Sequence, residues 1–114
     1  MYYLIDDDPD LMYGEEDFEQ MVEKYVTKEY CLKHRKEEFD DYLDEHYHFI
    51  SVCDQKYWAS MILKELDETR YDREYDWFVD QVLGVEQDRA MEDLSLAKPG
   101  KTVWLHDHQV FCYE

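Results

Sequence analysis

Every helix in this chain has to be two-sided. Thirty of its 114 residues are Asp or Glu and only 12 are Lys or Arg. A core can form only if each element turns its carboxylates to water and gathers its apolar residues into one stripe. The material for such a core is present: 45% of the residues are hydrophobic and 17% aromatic, unlike an acidic disordered tail. Three Gly and two Pro leave few sharp turns and favour regular structure. A chain of this length is expected to form a single domain spanning residues 1–114.

The stripes divide the chain into elements. Tyr2-Tyr3-Leu4-Ile5 reads as a short strand, followed by a solvated turn at Asp6-Asp7-Asp8-Pro9-Asp10. From about Glu15 a helix places Phe18, Met21, Val22 and Tyr25 on one face and Glu16, Glu19 and Glu23 on the other. Glu29 would fall on the apolar side if that helix continued, so a break is expected between Val26 and Lys33. A second helix over about Arg35–His46 sets Phe39, Tyr42, Leu43 and His46 against Glu37, Asp40, Asp41 and Asp44. A third covers about Met61–Glu68 with Ser60 as N-cap. A fourth covers about Asp72–Leu83, with Tyr75, Phe78, Val79, Val82 and Leu83 as its stripe and Gly84 as its stop.

Residues 86–98 are polar and carry no clear pattern. Phe49–Cys53 and Lys56–Trp58 are rich in β-formers and are expected to make a hairpin turning at Asp54-Gln55, in preference to extending the third helix back to Ser51. Thr102–His106 and Gln109–Tyr113 alternate as a second hairpin turning at Asp107-His108. The expected fold class is α+β, about four helices packed on a small, mainly antiparallel sheet.

One stretch has a familiar order. Phe39-Asp40-Asp41-Tyr42-Leu43-Asp44-Glu45 leads into Ile50-x-Val52, then Tyr57, Ser60, Ile62-Leu63-Lys64-Glu65-Leu66-Asp67 and Tyr71. It resembles a segment recurring in small phage and prophage proteins of Gram-positive bacteria, over residues 39–83. That segment usually has a Gly-rich turn where this chain has Cys53-Asp54-Gln55, and often a Pro after the Asp where this chain has Glu68. The resemblance implies a viral setting and brings no catalytic residues with it.

The net charge of −18 disfavours direct nucleic-acid binding, which needs Lys and Arg against phosphate, and disfavours anionic membranes. Cationic partners remain, among them proteins that themselves bind nucleic acid. On the second helix, Glu37, Asp40, Asp41 and Asp44 fall within ~10 Å at 1.5 Å rise per residue. That is a charge every ~3 Å, near the ~3.4 Å axial step of one DNA strand. Further acidic runs lie at Glu16, Glu19 and Glu23 and at Asp76 and Asp80, the latter beside Trp77, an aromatic off its helix's apolar stripe and suited to anchor an interface.

The composition is similar to that of DNA-mimic anti-restriction and anti-CRISPR inhibitors. The expectation is a phage-type inhibitor filling the basic nucleic-acid-binding cleft of a host defence protein, with a Cas9-type RNA-guided nuclease as first target. The alternative is a phage adaptor or regulatory protein without mimicry, its charge serving solubility.

A third reading is a small metal-binding protein using His46-x-His48 or His106-x-His108, completed by Cys53 or Cys112. Against it stand the missing Cys-x-x-Cys and His-x-x-x-His spacings, so no cofactor or metal is expected. No phosphate loop, nucleophile elbow or His-Glu-x-x-His helix is present, and the protein is not expected to be an enzyme. Residues 1–15 lack a signal-peptide pattern, which with three scattered cysteines gives the expectation of a host cytoplasm and reduced thiols.

Overall fold

Apolar stripes at helical and strand spacing place the elements in a computed structural model of the chain, which describes residues 1–114 apart from the side chain of Pro9. In order these are β1 (Tyr2–Ile5), β2 (Asp8–Tyr13), a 3-10 turn (Glu15–Asp17), α1 (Phe18–Tyr25), α2 (Lys28–His34) and α3 (Lys36–Tyr47). Then follow β3 (Phe49–Val52), β4 (Gln55–Trp58), α4 (Ala59–Leu66), α5 (Glu68–Leu96), β5 (Thr102–Leu105) and β6 (His108–Tyr113). The class is α+β, with a four-stranded antiparallel sheet of order β2-β1-β6-β5 and a separate two-stranded sheet of β3 and β4. No described helix is long and apolar enough to cross a membrane.

Two compact units emerge, one of Met1–Tyr30 with Val82–Glu114 and one of Cys31–Gln81. In the first, the central strands β1 and β6 pair Tyr3 with Cys112 and Ile5 with Val110, so these four side chains share one face. All four are buried, together with Leu105 of β5, and they meet the stripe of α1, Phe18, Met21, Val22 and Tyr25. The C-terminal half of α5 completes this core with Ala90 and Leu94. Tyr3 lies edge-on to Phe18, with ring centroids 5.0 Å apart.

In the second unit the buried side chains are Cys31, Phe39, Leu43, Tyr71, Tyr75 and Val79, joined by Ser60. The Phe39 ring touches Tyr71, Tyr75 and Phe78 at centroid distances of 5.2–5.3 Å. The Tyr75 hydroxyl donates toward the carbonyls of Cys31 and Leu32 near the end of α2, the first of which also accepts the Arg35 N–H at 2.9 Å.

Several elements differ from the sequence expectations for physical reasons. The turn after β1 is only Asp6-Asp7, and strand β2 begins at Asp8, within the stretch expected to be turn. Both other hairpins exist but turn one residue earlier than expected, at Cys53-Asp54 and at His106-Asp107. Cys53 and Asp54 have φ of 49° and 64°, the left-handed pair of a type I′ turn, whose twist matches that of the strands.

Ser60 is inside α4 rather than capping it. The expected break after α1 is found: Val26 and Thr27 separate α1 from α2, and the Thr27 hydroxyl accepts the Tyr30 N–H at 3.4 Å.

The largest difference is α5. It starts at Glu68, where the Asp67 carboxylate accepts the Arg70 N–H at 3.1 Å as an N-cap, and it runs on through Gly84 to Leu96. Its stripe of Tyr71, Tyr75, Val79 and Leu83 continues through Ala90 and Leu94. Between them the same side of the helix carries Glu86 and Gln87, and each finds a polar partner. Gln87 donates to the Val26 carbonyl at 3.1 Å, and Glu86 meets His106.

Candidate interaction surfaces

The carboxylates singled out from the sequence differ in what meets them. On α3 the row is divided. Asp40 accepts from the Tyr71 hydroxyl at 2.7 Å and pairs with Lys64. Asp44 accepts from both the backbone N–H and the hydroxyl of Ser60, at 3.0 and 3.1 Å.

These bonds tie α3 to α4 and α5 within the second unit, so Asp40 and Asp44 act as structural acceptors. Burial, and then the bond to Asp40, pushes the Tyr71 hydroxyl well above the usual tyrosine range. Only Glu37 and Asp41 of the four remain exposed. Asp76 and Asp80 are exposed on α5, on either side of Trp77 in sequence, and Trp77 is 51% exposed.

The acidic face of α1 is different. Glu16, Glu19 and Glu23 are all exposed, opposite the buried Phe18, Met21, Val22 and Tyr25. Among the described residues no ion pair or hydrogen bond engages their carboxylates. Glu19 and Glu23 line a groove with Asp88 of α5, floored by Val22 and Met91. Glu16 sits in the 3-10 turn that leads into α1, and Glu19 and Glu23 stand four residues apart on α1, about 6 Å along its axis. Glu19 and Glu23 thus share one face of α1, with Glu16 on the 3-10 turn before it and Asp88 across the groove.

The second unit adds an apolar surface. A cavity of about 340 Å3 is lined by Leu43 of α3, Ile50 of β3, Ile62 and Leu63 of α4, and Trp77 of α5, among others. Beside it the β3–β4 hairpin has all eight residues exposed, five of them large and apolar: Phe49, Ile50, Val52, Tyr57 and Trp58. The sequence marked Trp77 as an anchor but gave no sign that the hairpin's side chains would stay uncovered. Among the tyrosines, Tyr13 and Tyr71 are buried, while Tyr47 is 64% exposed.

The two His-x-His pairs do not converge as pairs. The His106 side chain is 6% exposed; its Nδ1 accepts the Thr27 N–H at 3.3 Å and its Nε2 lies 2.6 Å from Glu86. Its ring stacks on Tyr30 at 4.1 Å. His108 instead places Nδ1 2.9 Å from Asp7 and Nε2 3.3 Å from Asp107. His46 stacks on Tyr42, whereas His48 lines the cavity of the second unit.

None of the three cysteines is in a disulfide; Cys53 is exposed in its turn, and Cys31 and Cys112 are buried. Burial pushes the Cys112 thiol up, away from the nucleophilic thiolate form. Set against known proteins, the chain matches no family model, no curated protein and no solved structure.

Proposed function

We propose that this protein is a non-catalytic, phage-type inhibitor that fills the basic nucleic-acid-binding cleft of a host defence protein, presenting the acidic face of α1. The observation that carries the reading is the row Glu16, Glu19 and Glu23, exposed and without internal counter-charge among the described residues, with Asp88 across the groove. Glu19 and Glu23 about 6 Å apart on a helix, preceded by Glu16 on the 3-10 turn, offer a lysine- and arginine-lined cleft a series of anions in place of phosphates. The net charge of −18 steers such an encounter from a distance and repels nucleic acid itself. This reading moves the mimicking face from α3, where Asp40 and Asp44 are engaged internally, to α1.

A Cas9-type nuclease loaded with guide RNA is the target class to test first, because its arginines read a short duplex motif that an acidic surface can block. The host cytoplasm is the corresponding compartment. The test is association with such a nuclease, followed by biolayer interferometry at graded salt. The triple variant Glu16→Gln, Glu19→Gln, Glu23→Gln should associate about tenfold more slowly, with circular dichroism unchanged. Equal rates for the variant and the parent, or rates indifferent to salt, would remove α1 as the mimic. The second reading, a phage adaptor without mimicry, draws support from the exposed apolar surface of the second unit.

A further inference from the structure

We infer that the unit of Cys31–Gln81 carries a docking site for a polypeptide segment in which a bulky apolar side chain is followed by lysine or arginine. The seat is the cavity of about 340 Å3, within the range that binds ligands, with Leu43, Ile62 and Leu63 inside it and the half-exposed Ile50 and Trp77 at its lips. Arg70 also lines it, but its Nε lies 3.2 Å from the Glu74 carboxylate, so the seat offers an incoming anion no unpaired cation.

The direction of the segment comes from the neighbouring groove, of about 500 Å3, which shares His48 with the seat. Asp41, Asp44 and Glu45 line it together with Trp58, and no Lys or Arg does. Asp44 is occupied by Ser60, whereas Asp41 and Glu45 are exposed and have no ion pair among the described residues. A cationic side chain entering there would meet two carboxylates and the Trp58 ring, an arrangement that favours arginine or lysine. An apolar seat continuing into an anionic groove selects an apolar-then-basic partner and disfavours an acidic one.

Two further observations indicate a surface made to be covered. A lone two-stranded hairpin is marginal in water, and this one exposes Phe49, Ile50, Val52, Tyr57 and Trp58 beside the seat. At its entry His48 has φ 61° and ψ −157°, a strained conformation that is almost confined to glycine. The site lies wholly in residues 31–81, and the acidic row of α1 takes no part in it.

The experiment uses the full-length protein and three synthetic peptides at 0.15 M salt, with calorimetry and amide chemical-shift mapping. The first peptide has a Trp anchor followed by four lysines, the second replaces Trp by Ser, and the third replaces the lysines by glutamates. The first alone should bind, with shifts confined to α3, α4, the hairpin and the first half of α5. Trp77→Ala and, separately, Ile50→Ser should each weaken it about tenfold, both being exposed positions whose loss leaves the core intact.

Asp41→Asn with Glu45→Gln should weaken it severalfold, and Glu19→Gln with Glu23→Gln should leave it unchanged. Equal binding of the anchorless peptide, equal binding of the acidic one, or shifts on α1 would overturn the inference. So would sedimentation showing a dimer that Trp77→Ala dissociates, since a second copy would then be the occupant. Because the α1 variants are read separately, failure here leaves the α1 proposal standing, and the converse also holds.

Discussion

Replacing Gly84 by alanine should stabilise the protein by about 1 kcal/mol. Gly84 lies inside α5, in an exposed stretch beside Val85, and its backbone is outside the left-handed region. A methyl group built there meets no atom within 4 Å, so it neither clashes nor packs. What remains is helix propensity, in which glycine costs about 0.8–1.0 kcal/mol relative to alanine, partly through the freedom of the unfolded chain.

Had the helix ended at Gly84 with a left-handed cap, the same methyl group would destabilise by about 1–2 kcal/mol. The two arrangements therefore differ in sign and by about 2 kcal/mol, well beyond the error of a denaturation curve. The assay is thermal and urea unfolding followed by circular dichroism at 222 nm. A rise in melting temperature of about 4 °C is expected for a domain of this size. A fall of similar size would refute a continuous α5.

Two further outcomes follow from the polar contacts. Asp44→Ala should cost about 2 kcal/mol in urea unfolding, because it leaves the buried Ser60 N–H and hydroxyl without their acceptor, while Ser60→Ala should cost about half as much. Equal stability of Asp44→Ala and the parent would show that the contact is not made in solution. Burial also raises the hydroxyls of Tyr3, Tyr13, Tyr71 and Tyr75, reinforced at Tyr71 by Asp40.

The unfolded chain releases these protons near pH 10 while the folded chain holds them, so stability is unaffected below that pH and falls as pH rises above it. Absorbance at 295 nm should show these tyrosines ionising only as the helical signal is lost. Complete ionisation with an intact helical signal would contradict their burial.

Local two-sidedness was legible in the sequence because one helix face settles it. Phe18, Met21, Val22 and Tyr25, and likewise Phe39 and Leu43, occupy the buried positions their spacing implies. The hairpins were found from their β-forming residues, yet each turn was placed one residue late. Asp was expected to open the turn, whereas Cys53 and His106 take that place with positive φ. The continuity of α5 was hidden because Glu86 and Gln87 sit on the side that faces the core, and their partners, His106 and the Val26 carbonyl, are distant in sequence.

The same limit governed the acidic row of α3. Nothing within Lys36–Tyr47 shows that Asp40 will meet Tyr71 and Lys64, or that Asp44 will meet Ser60. Spacing tells which side a carboxylate leaves from; only tertiary structure tells whether something receives it.

That distinction bears on why α1 is charged as it is. Glu19 in its first turn is favoured by the helix dipole, but Glu23 near its C-terminal end is opposed by it. The two also stand four residues apart on one face, a like-charge spacing that costs a few tenths of a kcal/mol. Together the penalties approach about 1 kcal/mol, in a unit that already holds sixteen acids against five bases. Solubility does not require them, since Asp10 and Glu15 nearby are also exposed.

A cationic partner would remove both penalties on binding, and the free protein alone bears them. Glu23→Gln alone, which removes both penalties and keeps the favourable Glu19, should therefore melt slightly higher than the parent while binding its target more weakly. If the variant instead melts lower, the Glu23 carboxylate contributes to the fold, and its exposure on α1 would no longer argue for a partner.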